Sequence, residues 1–158
     1  MKDFGRILEV AIRHPRLKVD RKALARAIRA LDLGAVRFRG GCPRGALSVA
    51  FLTDRALSRL HDDFLDDASP TDVITFEGDT AHGLAGEICI SVDAAVRQVG
   101  SSGSRLSREL TLYAVHGWLH LAGYDDLRPA AKRAMRRAER RALLLLERSG
   151  SLPRFKLA

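Results

Sequence analysis

The chain has 158 residues, of which 46% are hydrophobic, so we expect a single domain over residues 1–158 with a core of its own. Its two cysteines lie far apart, and its first residues include acids and no apolar leader-like segment. Its apolar runs are far shorter than the ~20 residues of a membrane span, so we expect a cytoplasmic protein. The formal net charge of +8 favours a polyanionic partner such as nucleic acid or the ribosome, the alternative being that it reflects only the composition of the host.

Hydrophobic patterning predicts the secondary structure. Alternating or short apolar runs indicate strands, and apolar residues at a 3.6-residue period indicate helices. Asp20 is the expected cap of the first helix, and Thr53 or Asp54 that of the second. In chain order the expected elements are a strand at 7–12, a helix at 20–31, a strand at 47–52, a helix at 53–65, strands at 72–77 and 86–91, a short helix at 91–99, and helices at 104–121 and 129–148.

The helix expected at 104–121 is apolar almost all the way round, which predicts that it is the central, buried helix. Between Glu109 and Leu121 the readily ionisable side chains besides Tyr113 are Glu109, His116 and His120. These three fall within an arc of roughly 40° on the helical wheel. Because an uncompensated polar group in an apolar setting costs about 1–3 kcal/mol, this narrow stripe must have a partner.

A metal ion is one such partner. His116 and His120 are four residues apart, which stacks two imidazoles on one helical face within reach of a single ion. Gly123 then ends the helix, and Asp125 and Asp126 follow as candidate third ligands, Asp126 being six residues after His120. The alternatives are core histidines bonded to carbonyl groups and aspartates that only cap the next helix.

The residue after the first histidine limits the chemistry. Zinc peptidases with the motif HExxH carry their general base at that position, whereas this chain has Gly117. A metal with two histidines, one carboxylate and an open position can instead polarise a phosphoryl oxygen and activate water. The residues therefore argue against a zinc peptidase and are compatible with phosphoryl chemistry.

The string HGWLHLAGYDD at 116–126 resembles the hallmark HGxLHLxGYDH of the YbeY endoribonucleases, or rRNA maturation factors. PTDVITFE at 70–77, GEICIS at 86–91 and the RELTLYAVHG segment are also similar to that family, so the resemblance covers about Leu47 to Glu147. It implies an α+β fold with a mixed four-stranded sheet, about five helices, and one zinc ion on the central buried helix. It also implies single-strand RNA cleavage in rRNA maturation and ribosome quality control, with ribosomal RNA and the small ribosomal subunit as partners.

Two positions depart from the family pattern. Its third histidine is replaced by Asp126, so the expected ligand set is His116, His120 and Asp126, with one more negative charge and a less acidic bound water. An arginine found in many members, five residues before the PTDV proline, is replaced by Leu65. The catalytic group therefore stays unassigned, with Arg108 and the basic last helix as candidates for the missing cation.

The last expected helix is strongly basic. From residue 128 to residue 148 there are eight basic residues and two acidic ones. We expect Arg136, Arg137 and Arg140 to contact RNA, and the alternative is a solvated basic face. Seven further polar residues are assigned no functional role. Four aspartates form an acidic patch that we expect to be a solvated face, and three histidines have no partner at the spacing of metal ligands. These residues are Asp62, Asp63, Asp66 and Asp67, and His14, His61 and His82.

Two other functions fit the same residues. The first is an RNA-binding or ribosome-binding accessory factor with a structural metal and weak or no cleavage, which the missing arginine favours. The second is a non-haem iron enzyme, because two histidines and a carboxylate also suit iron. Such iron sites usually lie on a β-barrel, and nothing in the sequence indicates one.

Overall fold

The computed structural model describes residues 5–65, 71–101 and 103–158, and the side chains of 64 and 65 are outside this description. The described residues form five α-helices and six strands. The strands are β1 (Ile7–Ile12), β2 (Leu17–Val19), β3 (Ala46–Leu52), β4 (Val73–Glu77), β5 (Leu84–Ser91) and β6 (Phe155–Leu157). The helices are α1 (Arg21–Leu33), α2 (Asp54–Leu65), α3 (Val92–Val99), α4 (Gly103–Leu121) and α5 (Pro129–Arg148).

The main sheet has four strands in the order β1-β3-β5-β4. The first three run parallel, and β4 is antiparallel to β5, so the sheet is mixed. The expected α+β fold with a mixed four-stranded sheet and five helices is therefore confirmed. Each of the nine expected elements is present within two residues of its predicted ends.

A second, two-stranded sheet was not expected from the sequence. Strands β2 and β6 have three residues each and pair in antiparallel fashion, although they come from opposite ends of the chain. The Ser107 hydroxyl of α4 accepts a hydrogen bond from the Phe155 backbone N–H at 2.9 Å. This contact attaches β6 to the start of α4.

The helices cover the two faces of the main sheet unequally. Leu57 of α2 packs on one face, against Ala50 and Leu52 of β3 and Cys89 of β5. The alternate residues of the same strands face a larger core that contains side chains of α1, α4 and α5. Trp118 and Leu119 of α4 are completely buried in this core, which confirms α4 as the central helix. Among the described residues, no helix is both long and apolar enough to cross a membrane.

A buried ion pair fixes α4 against α1. The Asp32 carboxylate, at the end of α1, accepts hydrogen bonds from the Arg6 guanidinium at 2.9 and 3.0 Å. The same carboxylate accepts from the Trp118 indole Nε1 at 3.1 Å. The Arg6 and Asp32 side chains are only 11% and 5% exposed. Because the charge of Asp32 is paired and hydrogen-bonded, its burial is compatible with stability.

Gly117 lets α4 approach the sheet closely. A Cβ atom at this position would lie 2.5 Å from Cγ2 of Ile88 on β5, much closer than side chains approach one another. The position that carries the general base in zinc peptidases therefore faces the sheet in this protein. A residue with a side chain fits between the helix and β5 only if Ile88 or the helix shifts.

We predict that Gly117→Ala destabilises the protein. On an exposed helix this change stabilises by about 1 kcal/mol, whereas overpacking a core costs about 1–3 kcal/mol, so a net loss of roughly 1–2 kcal/mol is expected. Urea unfolding of the parent and the variant measures it.

Ile88→Ala supplies the control for this prediction, because it vacates the space that the new methyl group needs. The double variant should lose less stability than the two single losses added together. A Gly117→Ala protein as stable as the parent would contradict the close approach of α4 to β5.

Candidate metal centre

The two motif histidines lie on the open side of α4. Gly117, Trp118 and Leu119 are buried against β5, α1 and α5, and the helix geometry then leaves His116 and His120 half-buried at the edge of the core. The His116 side chain is 27% exposed. Both imidazoles are therefore held by the packed helix and still have access to solvent.

His116 is oriented by a carboxylate on α5. Its Nδ1 donates to Oε2 of Glu139 at 3.1 Å, and the Glu139 side chain is only 16% exposed. An ionised carboxylate can only accept, so the proton of this bond is on Nδ1. In the neutral ring, Nε2 then keeps a free lone pair.

His120 is oriented in the same way by a backbone carbonyl. Its Nδ1 donates to the Tyr124 carbonyl oxygen at 2.9 Å. A carbonyl only accepts, so this bond also places the proton on Nδ1 and leaves Nε2 free. Metal-binding histidines almost always donate their second ring N–H to a carboxylate or a carbonyl. His116 and His120 both have this arrangement.

Asp126 lies beside the first of these nitrogens, and Asp125 does not share its position. Oδ2 of Asp126 is 3.7 Å from Nε2 of His116, too long for a hydrogen bond. Two ligand atoms that each lie about 2.0–2.2 Å from one tetrahedral zinc ion are roughly 3.4 Å from each other. The observed spacing therefore suits two ligands of one ion. Asp125 instead accepts from the Leu127 backbone N–H at 3.2 Å, within the turn before α5.

Negative charge surrounds His116. Burial alone would lower the pKa of His116, but the hydrogen bond and charge of Glu139, with the charges of Asp126 and Asp72, raise it above its ordinary value. Nearby, burial and the neighbouring carboxylates Glu109 and Asp72 raise the pKa of the Tyr113 hydroxyl. Several carboxylates acting on one imidazole create a field that favours a cation at this place.

The described side chains do not form a complete metal cage. Among the described residues, no group of three or more His, Cys, Asp and Glu side chains is close enough together to hold a metal ion. The structure brings His116 and Asp126 together and places His120 one helical turn away on the same face. The donor types, the two Nδ1 contacts and the negative field nevertheless fit a zinc ion. The ligand set stays a prediction.

The other described residues proposed from the sequence lie on α2, α4 and α5. The guanidinium of Arg108 pairs with Glu147, eight residues and about 12 Å along α5 from Glu139, so it is not brought together with His116. Arg136, Arg137 and Arg140 are exposed on α5. The side chain of Leu65 and the residues Asp66 and Asp67 lie outside the described part of the chain, and Asp62 and Asp63 are exposed.

Two of the histidines left without a role have carboxylate partners. Buried His14 donates from Nε2 to Asp93 at 2.9 Å, and its Nδ1 accepts from the Arg16 backbone N–H at 3.2 Å. His82 contacts Asp79 at 2.6 Å on an exposed turn. The Asp93 contact joins His14 to the start of α3.

Glu139 and Tyr124 are the residues that sequence reasoning missed at this centre. Glu139 looked like one acid within a basic helix, but it lies four residues after buried Met135 and three before buried Ala142. An acid on the inner edge of a basic helix was the available signal. Tyr124 gave no such signal, because it acts through its backbone carbonyl.

The family model described as endoribonuclease YbeY matches residues 10–147. The chain belongs to this family. A YbeY endoribonuclease of Anaeromyxobacter dehalogenans is 40% identical over 73% of this chain and 62% of the relative, and one of Rhodopirellula baltica is 37% identical over 82% and 66%. A third, from Chloroflexus aggregans, is 37% identical over 81% of this chain and 88% of its own length. The chain thus spans about two thirds of the first two relatives.

A solved structure has a similar fold. The solution structure of a Thermotoga maritima protein superimposes with a TM-score of 0.57 over 92% of this chain and 93% of that protein. The two sequences are 20% identical, so the likeness concerns the fold alone.

We predict that Asp126→Ala loses bound metal more completely than Asp125→Ala. Losing a residue that only orients a metal site weakens binding about 10–100-fold, and losing one of three direct ligands should cost more. Asp126→His should keep the metal, because zinc accepts an imidazole in place of a carboxylate. Titration with a competing chelator measures the three affinities.

The contrast between the two alanine variants decides this assignment. If Asp126→Ala binds metal like the parent while Asp125→Ala does not, the third ligand is Asp125. Thermal unfolding of both variants controls for a turn that no longer forms.

Proposed function

We propose that this YbeY family member is a zinc-dependent endoribonuclease that cleaves single-stranded RNA. The observation that carries the proposal is the common orientation of the two imidazoles, whose Nδ1 atoms donate to Glu139 and to the Tyr124 carbonyl. The Nε2 atom of His116 then lies 3.7 Å from a carboxylate oxygen of Asp126. This arrangement suits a metal with one position left open for water or substrate.

His116, His120 and Asp126 would hold the ion. When bound, zinc polarises a phosphoryl oxygen and lowers the pKa of a water molecule. Glu139 keeps the proton of His116 on Nδ1, so that the lone pair of Nε2 stays available to bind the ion. The carboxylate of Asp126 adds a negative charge where a third histidine would be neutral. We infer that cleavage by this chain needs a higher pH than cleavage by a three-histidine relative.

An RNA substrate agrees with the charge of the protein. The chain carries a net charge of +8, and the exposed Arg136 and Arg140 lie three residues before and one residue after Glu139 on α5. Phosphates approaching the candidate centre would therefore meet basic side chains. Ribosomal RNA as the substrate, the small ribosomal subunit as partner and ribosome quality control are proposed from family membership alone. A cytoplasmic location is proposed from the sequence features described above.

We predict that the purified protein cleaves single-stranded RNA, that chelation abolishes cleavage and that added zinc restores it. His116→Ala and His120→Ala should each remove both the metal and the cleavage. Glu139→Gln should weaken metal binding about 10–100-fold, because it orients a ligand without contacting the ion. Metal analysis and gel-based cleavage assays measure these outcomes.

His82→Ala is the matched control, since this histidine lies on an exposed turn beside Asp79. It should keep parental metal content and activity. Full metal occupancy in both His116→Ala and His120→Ala would show that the site lies elsewhere. Iron rather than zinc in the purified protein would favour the iron-enzyme alternative.

A second candidate is an accessory factor that binds RNA and has a structural metal. It is favoured by the replacement of the family arginine with Leu65 and by the engagement of Arg108 with Glu147. The two candidates differ in turnover and share RNA binding. Binding without metal-dependent cleavage would support the accessory factor.

We predict that Arg136→Glu with Arg140→Glu weakens binding of single-stranded RNA. Each lost phosphate contact should flatten the plot of log affinity against log salt by about 0.7. The control is Arg55→Glu with Arg59→Glu, since these arginines are exposed on α2, on the opposite face of the sheet. Equal slopes for the two double variants would identify this part of α5 as an ordinary solvated face.

A further inference from the structure

A second basic site lies beside α5, away from Arg136 and Arg140. The short helical turn Ala35–Arg37 and the C-terminal half of α5 enclose a cavity of about 460 Å³. Three arginines and three apolar residues account for most of its lining, and no described residue that lines it is acidic. They are Arg37, Arg141 and Arg148, and Phe38, Leu144 and Leu145.

The cationic groups of this cavity are partly preorganised. The Arg141 guanidinium donates to the Arg37 carbonyl and to the Tyr124 hydroxyl, both at 3.4 Å, and lies 5.6 Å from the centre of the Phe38 ring. Leu144 is 42% exposed at its edge. The cavity therefore combines a guanidinium group with two long hydrogen bonds, two more arginines and accessible apolar surface.

The loop beside the cavity has an uncommon backbone. Arg39 has φ = 55°, and Gly40 and Gly41 follow with φ of 89° and 81°. This left-handed stretch is uncommon for a residue with a side chain. This stretch comes directly after the fully buried Phe38. Within it, the Arg39 guanidinium lies 4.0 Å from the centre of the Tyr124 ring.

Tyr124 connects the cavity to the candidate metal centre. Its hydroxyl accepts from Arg141 at the cavity, and its backbone carbonyl accepts from His120. One residue thus contacts both sites, so the cavity borders the centre. A polymer bound at the centre can continue into the cavity.

We propose that this cavity binds one nucleotide of a single-stranded RNA substrate several positions away from the cleaved bond. Arg37 and Arg148 would pair with phosphates, and the base would pack against Leu144 and the Arg141 guanidinium. Arginine suits this role because its planar fork matches phosphate oxygens and its face stacks on bases. The identity of the ligand rests on the proposed function.

The shape of the cavity favours a nucleotide over an acidic protein segment. Its volume falls within the roughly 300–1,000 Å³ of small-molecule pockets, whereas a docked helix needs an extended apolar groove. From Glu139 to Arg148 α5 spans about 14 Å, which equals about four nucleotides at ~3.4 Å per stacked base. A longer RNA is needed to place whole nucleotides at the centre and beside Arg148 at the same time.

The test uses labelled 2′-O-methyl RNA probes of about 4 and about 16 nucleotides, a range that covers common single-strand binding sites. This sugar modification makes them resistant to cleavage. Arg37→Ala with Arg148→Ala should weaken binding of the longer probe about tenfold or more and flatten its salt slope by about 1.4. The loss should be much smaller for the short probe, which is too short to fill both sites at once.

Arg55→Ala with Arg59→Ala removes the same charge from α2 and should leave binding of both probes within about twofold of the parent. Leu144→Glu, at a half-exposed position, provides an independent variant. It should weaken binding of the longer probe to a similar extent. Thermal unfolding checks that all variants are folded.

Equal losses in the two arginine pairs, or a loss independent of probe length, would overturn the proposal. Binding of an acidic peptide that disappears in the Arg37→Ala and Arg148→Ala variant, with RNA binding unchanged, would assign the cavity to a protein partner instead. Because the probes resist cleavage, this result is independent of the endoribonuclease proposal. A protein without nuclease activity can still bind RNA through the cavity.

Discussion

The buried Asp32 carboxylate determines how the central helix lies in the fold. It accepts hydrogen bonds from Arg6 and from the Trp118 indole, and so joins the segment before β1, the end of α1 and the last turn of α4. Because Trp118 points toward α1, the preceding residue, Gly117, lies on the side of the helix that packs against β5. The rotation of α4 is then fixed, and His116 and His120 can only lie on its open side. Without this carboxylate, Arg6 would be a buried, unpaired charge, a situation that costs about 3–5 kcal/mol.

The candidate centre depends on contacts made after the helix is in place. Glu139 reaches His116 from α5, and the Tyr124 carbonyl reaches His120 from the turn that ends α4. Both select the same tautomer, so the two rings present equivalent nitrogens. Tyr124 also contacts Arg141, which links the geometry of the histidine pair to the basic loop at residues 37–41. The centre and the neighbouring basic surface are therefore parts of one packed unit.

The sequence was informative where physical signals are local. The period of the apolar residues predicted nine elements, and Asp20 caps α1 by accepting from the Lys22 N–H, as expected. It was uninformative where the signal depends on distant parts of the chain. Strands β2 and β6 are too short to show a period, and Glu139 pairs with a residue on another helix. His14 is buried in a turn because Asp93, far along the chain, satisfies its ring. The polar stripe on α4 did predict a need for partners but not their identity.

The pairing of β2 with β6 has a consequence for biosynthesis. Residues 17–19 leave the ribosome long before their partner strand at 155–157 is translated. The hydrogen bond between the Ser107 hydroxyl and the Phe155 backbone N–H likewise forms only after Phe155 has been translated. Contacts between residues so far apart in sequence form slowly, because the closure of a long loop precedes them. The main sheet can assemble during translation. The second sheet, and the hydrogen bond that joins it to the start of α4, form only once synthesis has reached residue 157.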